Sequence, residues 1–246
     1  MTLAFKSETH LGDCILHAHF LRQLLKVNPQ IERIYLYQYS KHYTQVREFL
    51  EDIIEHPDQR IRMAAYEAAP PNALRGWVGQ FGIPPLPCAL DTLRFNAYNT
   101  LCKMINVTSP FKNLRDILID HPSLYKTENF SNYDVLLINS VPLSNQCNFD
   151  ISEFDNLAYR IKEKGKTVIS TNKIPNIDCT IDKGYSVLDI GRLSCRAKYI
   201  IGIGTGPMIC CLNVRNQANK FLYIDQHHYF DLPFIRMIDS PLRIEV

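Results

Sequence analysis

Residues 199–214 read Tyr-Ile-Ile-Gly-Ile-Gly-Thr-Gly-Pro-Met-Ile-Cys-Cys-Leu-Asn-Val. Tyr199 to Ile203 is an apolar run of strand length, as expected of a strand buried on both faces. Gly204-Thr205-Gly206-Pro207 breaks that run as a turn, and Met208 to Val214 continues as a helix with Pro207 suited to its first turn. A buried strand passing through a glycine turn into a helix is the repeating element of a parallel sheet, so the stretch points to an α/β fold.

The same rhythm extends on both sides. Lys220 to Asp225 reads as a final strand and Val187 to Cys195 as a short helix before the run. Further back, Lys166 to Ser170 is a strand, and Ser152 to Lys164 is a helix with Phe154, Leu157, Ala158 and Ile161 on one face. Asp134 to Asn139 is another nearly continuous apolar strand. An earlier series mirrors this one, with strands at Thr2 to Ser7, Ile31 to Tyr37 and Arg60 to Ala64. Helices at Asp13 to Val27 and His42 to Glu55 separate them. Leu90 to Ile105 reads as a further helix, followed by a linker-like stretch through Asn132. The expected architecture is two Rossmann-like lobes with parallel sheets facing a cleft, residues 1–130 and 131–246. Between the rhythms, Ala68 to Pro87 carries five prolines, three glycines and Trp77. This excursion reads either as a substrate-facing segment or as a plain surface loop.

Composition excludes several classes. Hydrophobic residues make up 46% and charged residues 21% of the 246, as in ordinary globular proteins. The 27 Lys and Arg against 25 Asp and Glu leave a formal charge of +2, so no nucleic-acid partner is expected. Eight cysteines include no C-x-x-C pair and sit largely in apolar stretches, which reads as reduced thiols in the cytoplasm. The N-terminus lacks a signal-peptide pattern and no apolar run is long enough to span a bilayer. A cytoplasmic location is expected, with peripheral membrane contact left open. No G-x-S-x-G elbow, no complete G-x-G-x-x-G and no zinc spacing occur, and His17 and His19 are too close in sequence to share a helix face.

Two loops carry candidate chemistry. In Ser7 to Asp13, Asp13 follows Gly12 and reads either as the helix N-cap or as a general base at the edge of the sheet. In Gly204 to Pro207, the first amides of the following helix suit a diphosphate or similar anion, the alternative being a turn that needs glycine only for packing.

Together these loops resemble the heptosyltransferase-like group of GT-B glycosyltransferases, family 9 and its relatives. That group begins with a strand, a short loop ending in Gly-Asp and a long helix, matched here by Phe5-Lys6-Ser7, Leu11-Gly12-Asp13 and Cys14 to Val27. Its second lobe has a short helix, an Ala-Lys dipeptide entering a strand, and an Asp-Thr-Gly turn. Here these are Ser186-Val187-Leu188, Ala197-Lys198 and Thr205-Gly206-Pro207-Met208. Two positions depart: Gly204 replaces the Asp before Thr-Gly, and Ile209 stands where a histidine is expected shortly after the turn.

The resemblance implies a glycosyltransferase that moves a sugar from a nucleotide-sugar donor to a glycan or glycolipid hydroxyl. It implies that Asp13 is the catalytic base and that Thr205, Gly206 and Pro207 form the turn holding the donor diphosphate. It further implies phosphate contacts from Asn139 and Ser140, with Ser7 and Gly12 in the acceptor-side loop; Trp77 joins that side where the proline-rich excursion is read as substrate-facing. The chain contains no Asp-x-Asp sequence, and a helix N-terminus can neutralise a diphosphate. An inverting, metal-independent reaction with no cofactor beyond the nucleotide-sugar substrate is therefore expected. The departures motivate a rival, a GT-B-like protein that binds nucleotide or glycan without turnover; a sugar-nucleotide epimerase is a further alternative.

Overall fold

A computed structural model of the chain describes residues 1–8, 10–54, 60–82, 84–142, 150–216, 220–225 and 227–246. Thr9, Glu55 and Cys147, which enter the sequence reading, lie outside the described residues. The chain divides into two units, Met1–Pro84 with Asp91–Ile117, and Pro85–Leu90 with Leu118–Val246. Residues 118–130 thus pack with the second unit rather than with the run 1–130. Ile119 explains why: its amide donates to Leu212 O at 2.9 Å and its carbonyl accepts from Val214 N at 3.2 Å.

The first unit contains β1 (Thr2–Ser7), α1 (Leu11–Val27), β2 (Arg33–Gln38), α2 (Tyr43–Ile54), β3 (Ile61–Ala65), β4 (Leu74–Arg75) and α3 (Leu90–Met104). Its described strands form one parallel sheet in the order β3-β2-β1-β4. The strand β4 is new relative to the sequence reading. It is two residues long, sits inside the proline-rich excursion and pairs Leu74 with Phe5 and Arg75 with Lys6. Gly76 permits this approach, because a Cβ there would lie 1.8 Å from His17 Nδ1. The interior is aromatic: Phe20 stacks on Tyr98 at 4.4 Å, and Phe111 meets both edge-on at 5.8 and 5.7 Å.

The second unit contains β5 (Cys88–Ala89), β6 (Tyr133–Ile138), α4 (Glu153–Glu163), β7 (Val168–Ser170), β8 (Asp178–Cys179), α5 (Val187–Ser194), β9 (Ala197–Ile203), α6 (Gly206–Cys211), β10 (Lys220–Ile224), β11 (His228–Tyr229) and β12 (Ile235–Ile238). Its main sheet is parallel in the order β8-β7-β6-β9-β10-β12, and β5 pairs separately with β11. The sequence reading stopped at β10; β12 continues the sheet beyond it. Val135, Leu137, Phe154, Leu157, Ile161, Ile201 and Ile203 share one apolar core. The turn Ser186 to Asp189 opens α5 with a capping box, in which Asp189 N donates to Ser186 Oγ and Ser186 N to Asp189 Oδ2.

Both sheets reverse direction once. In the first unit the order runs outward from β1 to β2 and β3, then crosses back to β4. In the second it runs from β6 to β7 and β8, then crosses back to β9, β10 and β12. Connections leave such a reversal on opposite sides, opening a crevice at the carboxyl ends of the two central strands. The two crevices lie after β1 and β4 and after β6 and β9. Among the described residues, no helix is long and apolar enough to cross a membrane.

Candidate functional site

In the second unit, Ile138 of β6 aligns with Gly202 of β9, so Asn139-Ser140 and Ile203-Gly204 leave the sheet side by side. Gly202 lets the strands pack: a Cβ there would lie 2.4 Å from Ile138 Cβ and 2.7 Å from Ile138 O. The predicted donor segments therefore flank the reversal. Thr205 is the N-cap residue of α6 by backbone, but its side chain makes no capping bond; Thr205 Oγ1 donates to Ile203 O at 3.4 Å. Gly206 and Met208 present first-turn amides that the helix itself does not use, while Pro207 contributes none. Gly206 is helical, so its place does not depend on a left-handed backbone.

Asn139 is held by bonds within the fold. It is buried, and its Oδ1 accepts from Asn172 N at 2.8 Å and Thr171 Oγ1 at 3.1 Å. Its own amide donates to Thr171 Oγ1 at 3.0 Å. These bonds lock the ends of β6 and β7 together. Ser140, half-buried, shares a 3.0 Å bond with the same threonine hydroxyl and is the more accessible of the pair. Next to this crevice, a cavity of about 440 Å³ opens at the ends of β10 and β12, lined by Asp225, Arg236, Met237, Ile238, Asp239 and Arg243. Its charges are largely mutual: Arg243 pairs with Asp239 at 2.6 Å, and Asp225 accepts from His228 N at 3.0 Å and faces His228 Nδ1 at 3.1 Å.

In the first unit the helix begins at Leu11, with His10 at the N-cap position, so Asp13 is not the cap. It lies in the first turn of α1, half-buried. Burial raises its pKa above the ordinary carboxylate value, opposed by the charges of Arg94 and His10. A carboxylate made more basic in this way is a better proton acceptor. Ser7 is buried and donates to Cys14 Sγ at 3.3 Å, which ties β1 to α1. Gly12 is buried inside the helix, and Trp77 follows β4 at the open edge, half-buried.

Sequence reasoning missed Arg94. It lies on α3, is 7% exposed, and its Nε has no hydrogen-bond partner among the described residues. Tyr98, one turn further, feels both Asp13 and Arg94. The Arg94/Tyr98 spacing of four was the one available signal, since it places both on one helix face. Also missed were Glu8, Tyr39 and Tyr66, each one residue past the end of β1, β2 or β3. Tyr66 donates its hydroxyl to Glu8, which holds the phenol pKa above its usual value. The described cysteines are all free thiols; burial pushes Cys102 up to about 11.

No protein-family model matches the sequence. No curated protein matches it either. Solved structures do. A glycosyl transferase family 9 protein from Veillonella parvula aligns over 97% of this chain and 86% of its own, at 12% identity and a TM-score of 0.54. The E. coli heptosyltransferase WaaC, solved with ADP-2-deoxy-2-fluoro heptose, aligns over 98% and 94%, at 8% identity and a TM-score of 0.55. The dodecameric iron-containing glycosyltransferase TibC from enterotoxigenic E. coli aligns over 97% and 62%, at 13% identity and a TM-score of 0.56. What the chain shares with them is the fold, two Rossmann-like parallel units of the GT-B kind, extending over nearly its whole length.

Proposed function

We propose that this chain is a glycosyltransferase that moves a sugar from a nucleotide-sugar donor to a hydroxyl of a glycan or glycolipid. One observation carries the reading: the two loops that resemble family 9 fall at the two sheet reversals, where α/β proteins bind ligands. The fold shared with glycosyltransferases supports it. The second unit takes the donor and the first the acceptor.

The reaction is a single displacement with inversion at the anomeric carbon. Asp13 takes the proton of the acceptor hydroxyl as its oxygen forms the new bond to that carbon. The bond from the anomeric carbon to the diphosphate oxygen breaks, and the diphosphate leaves with the electron pair. The amides of Gly206 and Met208, with the hydroxyls of Thr205 and Ser140, receive the growing charge, in place of a metal ion. Pro207 shapes that turn. Asn139 keeps Ser140 in position through its bonds to Thr171 and Asn172.

A thermal-shift screen of nucleoside diphosphates and their sugars tests this. A ligand at a hundred times its Kd adds about 2.7 kcal/mol of stability, so a true donor raises the melting temperature visibly. The absence of stabilisation by any of them sinks the reading. Gly204 and Ile209, the latter buried in the core, favour one second reading: a protein that binds the same ligands without turnover. Donor binding with no product from any acceptor in the wild type would select it.

A further inference from the structure

The ends of β1, β2 and β3 are in register, Ser7 opposite Gln38 and Gln38 opposite Ala65. The next residue of each strand is therefore at the same level of the first unit's rim: Glu8, Tyr39 and Tyr66. On the far side of β1, Lys6 pairs with Arg75, and Trp77 follows two residues on. The Tyr39 and Tyr66 rings meet at 90° with centroids 6.4 Å apart, and Tyr39 is 41% exposed. Tyr66 donates its hydroxyl to Glu8, and Arg75 Nε lies 3.5 Å from Glu8 Oε1. Trp77 is held in place by the backbone: a Cβ on Gly79 would lie 2.5 Å from Trp77 Cζ2, so the indole rests on that glycine. Gln80 Nε2 fixes the same turn by donating to Arg75 O at 2.8 Å.

We propose that this rim, Glu8, Tyr39, Tyr66, Arg75 and Trp77, is a carbohydrate subsite that stacks an uncharged pyranose on its aromatic rings and reads its hydroxyls with Glu8 and Arg75. The carbon-bound hydrogens on one face of a pyranose are weakly positive and pack on the negative face of an aromatic ring. Vicinal hydroxyls both donate and accept. Glu8 and Arg75 keep lone pairs and N–H groups beyond the pairs they make with each other and with Tyr66. Arg75 offsets one carboxylate, but Glu67 also acts on Tyr66, so two carboxylates face one guanidinium here and an acidic sugar would be repelled. Rings and charges are held before a ligand arrives, which lowers the ordering cost of binding. Naming the bound sugar as the acceptor rests on the transferase reading; the subsite itself does not.

Trp77 is the single tryptophan of the chain and reports on this rim through its emission. The probes are methyl glycosides of glucose, galactose, mannose and N-acetylglucosamine, with glucuronic acid as the charged comparison and no nucleotide present. At least one neutral glycoside should change the emission saturably, and Tyr39→Ala should raise its Kd at least tenfold. Tyr39→Leu, which keeps apolar bulk without a ring face, should do the same if the alanine variant folds poorly. No saturable response, a response to glucuronic acid alone, or a smaller effect of the variants overturns the subsite. Failure of every nucleotide to stabilise the protein would instead remove the transferase reading and leave the glycoside response intact.

Discussion

At the carboxyl edge of β1 and β4, the first unit gathers Asp13, His10, His42 and Arg94, whereas the edge of β6 and β9 in the second holds hydroxyls, amides and glycines. The strand order up to the reversal is the same in both. The difference therefore lies in what the loops put there, and each filling suits one kind of task. A half-buried carboxylate with a raised pKa can accept a proton, and it would repel a diphosphate. A neutral turn with unused helix amides can hold a diphosphate and has nothing with which to take a proton. The interiors differ in the same sense. Beneath its reversal the first unit buries His17, both of whose ring nitrogens lack partners among the described residues, whereas the second packs an aliphatic and aromatic core.

The largest effect should come from removing the proposed proton acceptor. Asp13→Asn keeps the size of the side chain and should cut sugar transfer on the order of a hundredfold or more. Its stability should not fall. Because burial raises the folded-state pKa of Asp13, the charged form opposes folding at neutral pH, and a neutral amide removes that penalty. In the wild type, the acid limb of the rate profile should lie above the ordinary carboxylate range. Full activity in the Asn variant, measured with the donor returned by the binding screen, would break the comparison by leaving the first unit without its proposed chemistry.

How much of this was legible in the sequence follows from how local each signal is. The strand β9 and its turn were readable because apolar continuity and punctuation by Gly and Pro are local features. Strand β4 was not, since two residues between prolines carry no period, and only pairing with β1 makes them a strand. The same holds for β12, four residues after an irregular stretch. Asp13 was placed in the right turn and the wrong position within it, because Asp suits both an N-cap and the first helical turn. The true N-cap residue, His10, makes no side-chain cap bond and so left no signal. Asn139 looked available because its partners, Thr171 and Asn172, lie beyond the next strand. Arg94 reaches Asp13 only through the packing of α3 against α1, which no spacing announces.

A second effect should separate the two interiors by pH. Burial lowers the His17 pKa from 6.5 to about 3, so the folded state holds this ring neutral where the unfolded chain protonates it. Between those values the unfolded state binds more protons, so stability falls as the solution is acidified, by about 1.4 kcal/mol per pH unit below roughly 6.5. Asp13 works in the opposite direction only near and above its ordinary value, where acidification relieves its buried charge. Hydrogen exchange should therefore show α1 amides losing protection at mildly acidic pH before those of β6 and β9. His17→Leu should flatten the slope. Equal loss of protection in both units, or an unchanged slope in the variant, would assign the acid sensitivity elsewhere.

The smallest effect concerns the neutral edge itself. Gly206 is the first residue of α6, with helical backbone, so Gly206→Val changes helix propensity by roughly 0.5 kcal/mol or less, in favour of valine. Its consequence for binding is larger. The two methyl groups would stand over the amides of Gly206 and Met208 and keep a phosphate oxygen from reaching hydrogen-bond distance. Donor affinity should fall about tenfold or more while the melting temperature without ligand stays close to that of the wild type. Glycoside binding at the first unit's rim, read by Trp77, should not change. If donor affinity also stays the same, the glycine turn serves only to pack β9 against its neighbours, the task Gly202 already performs, and the second unit's edge is no anion cradle.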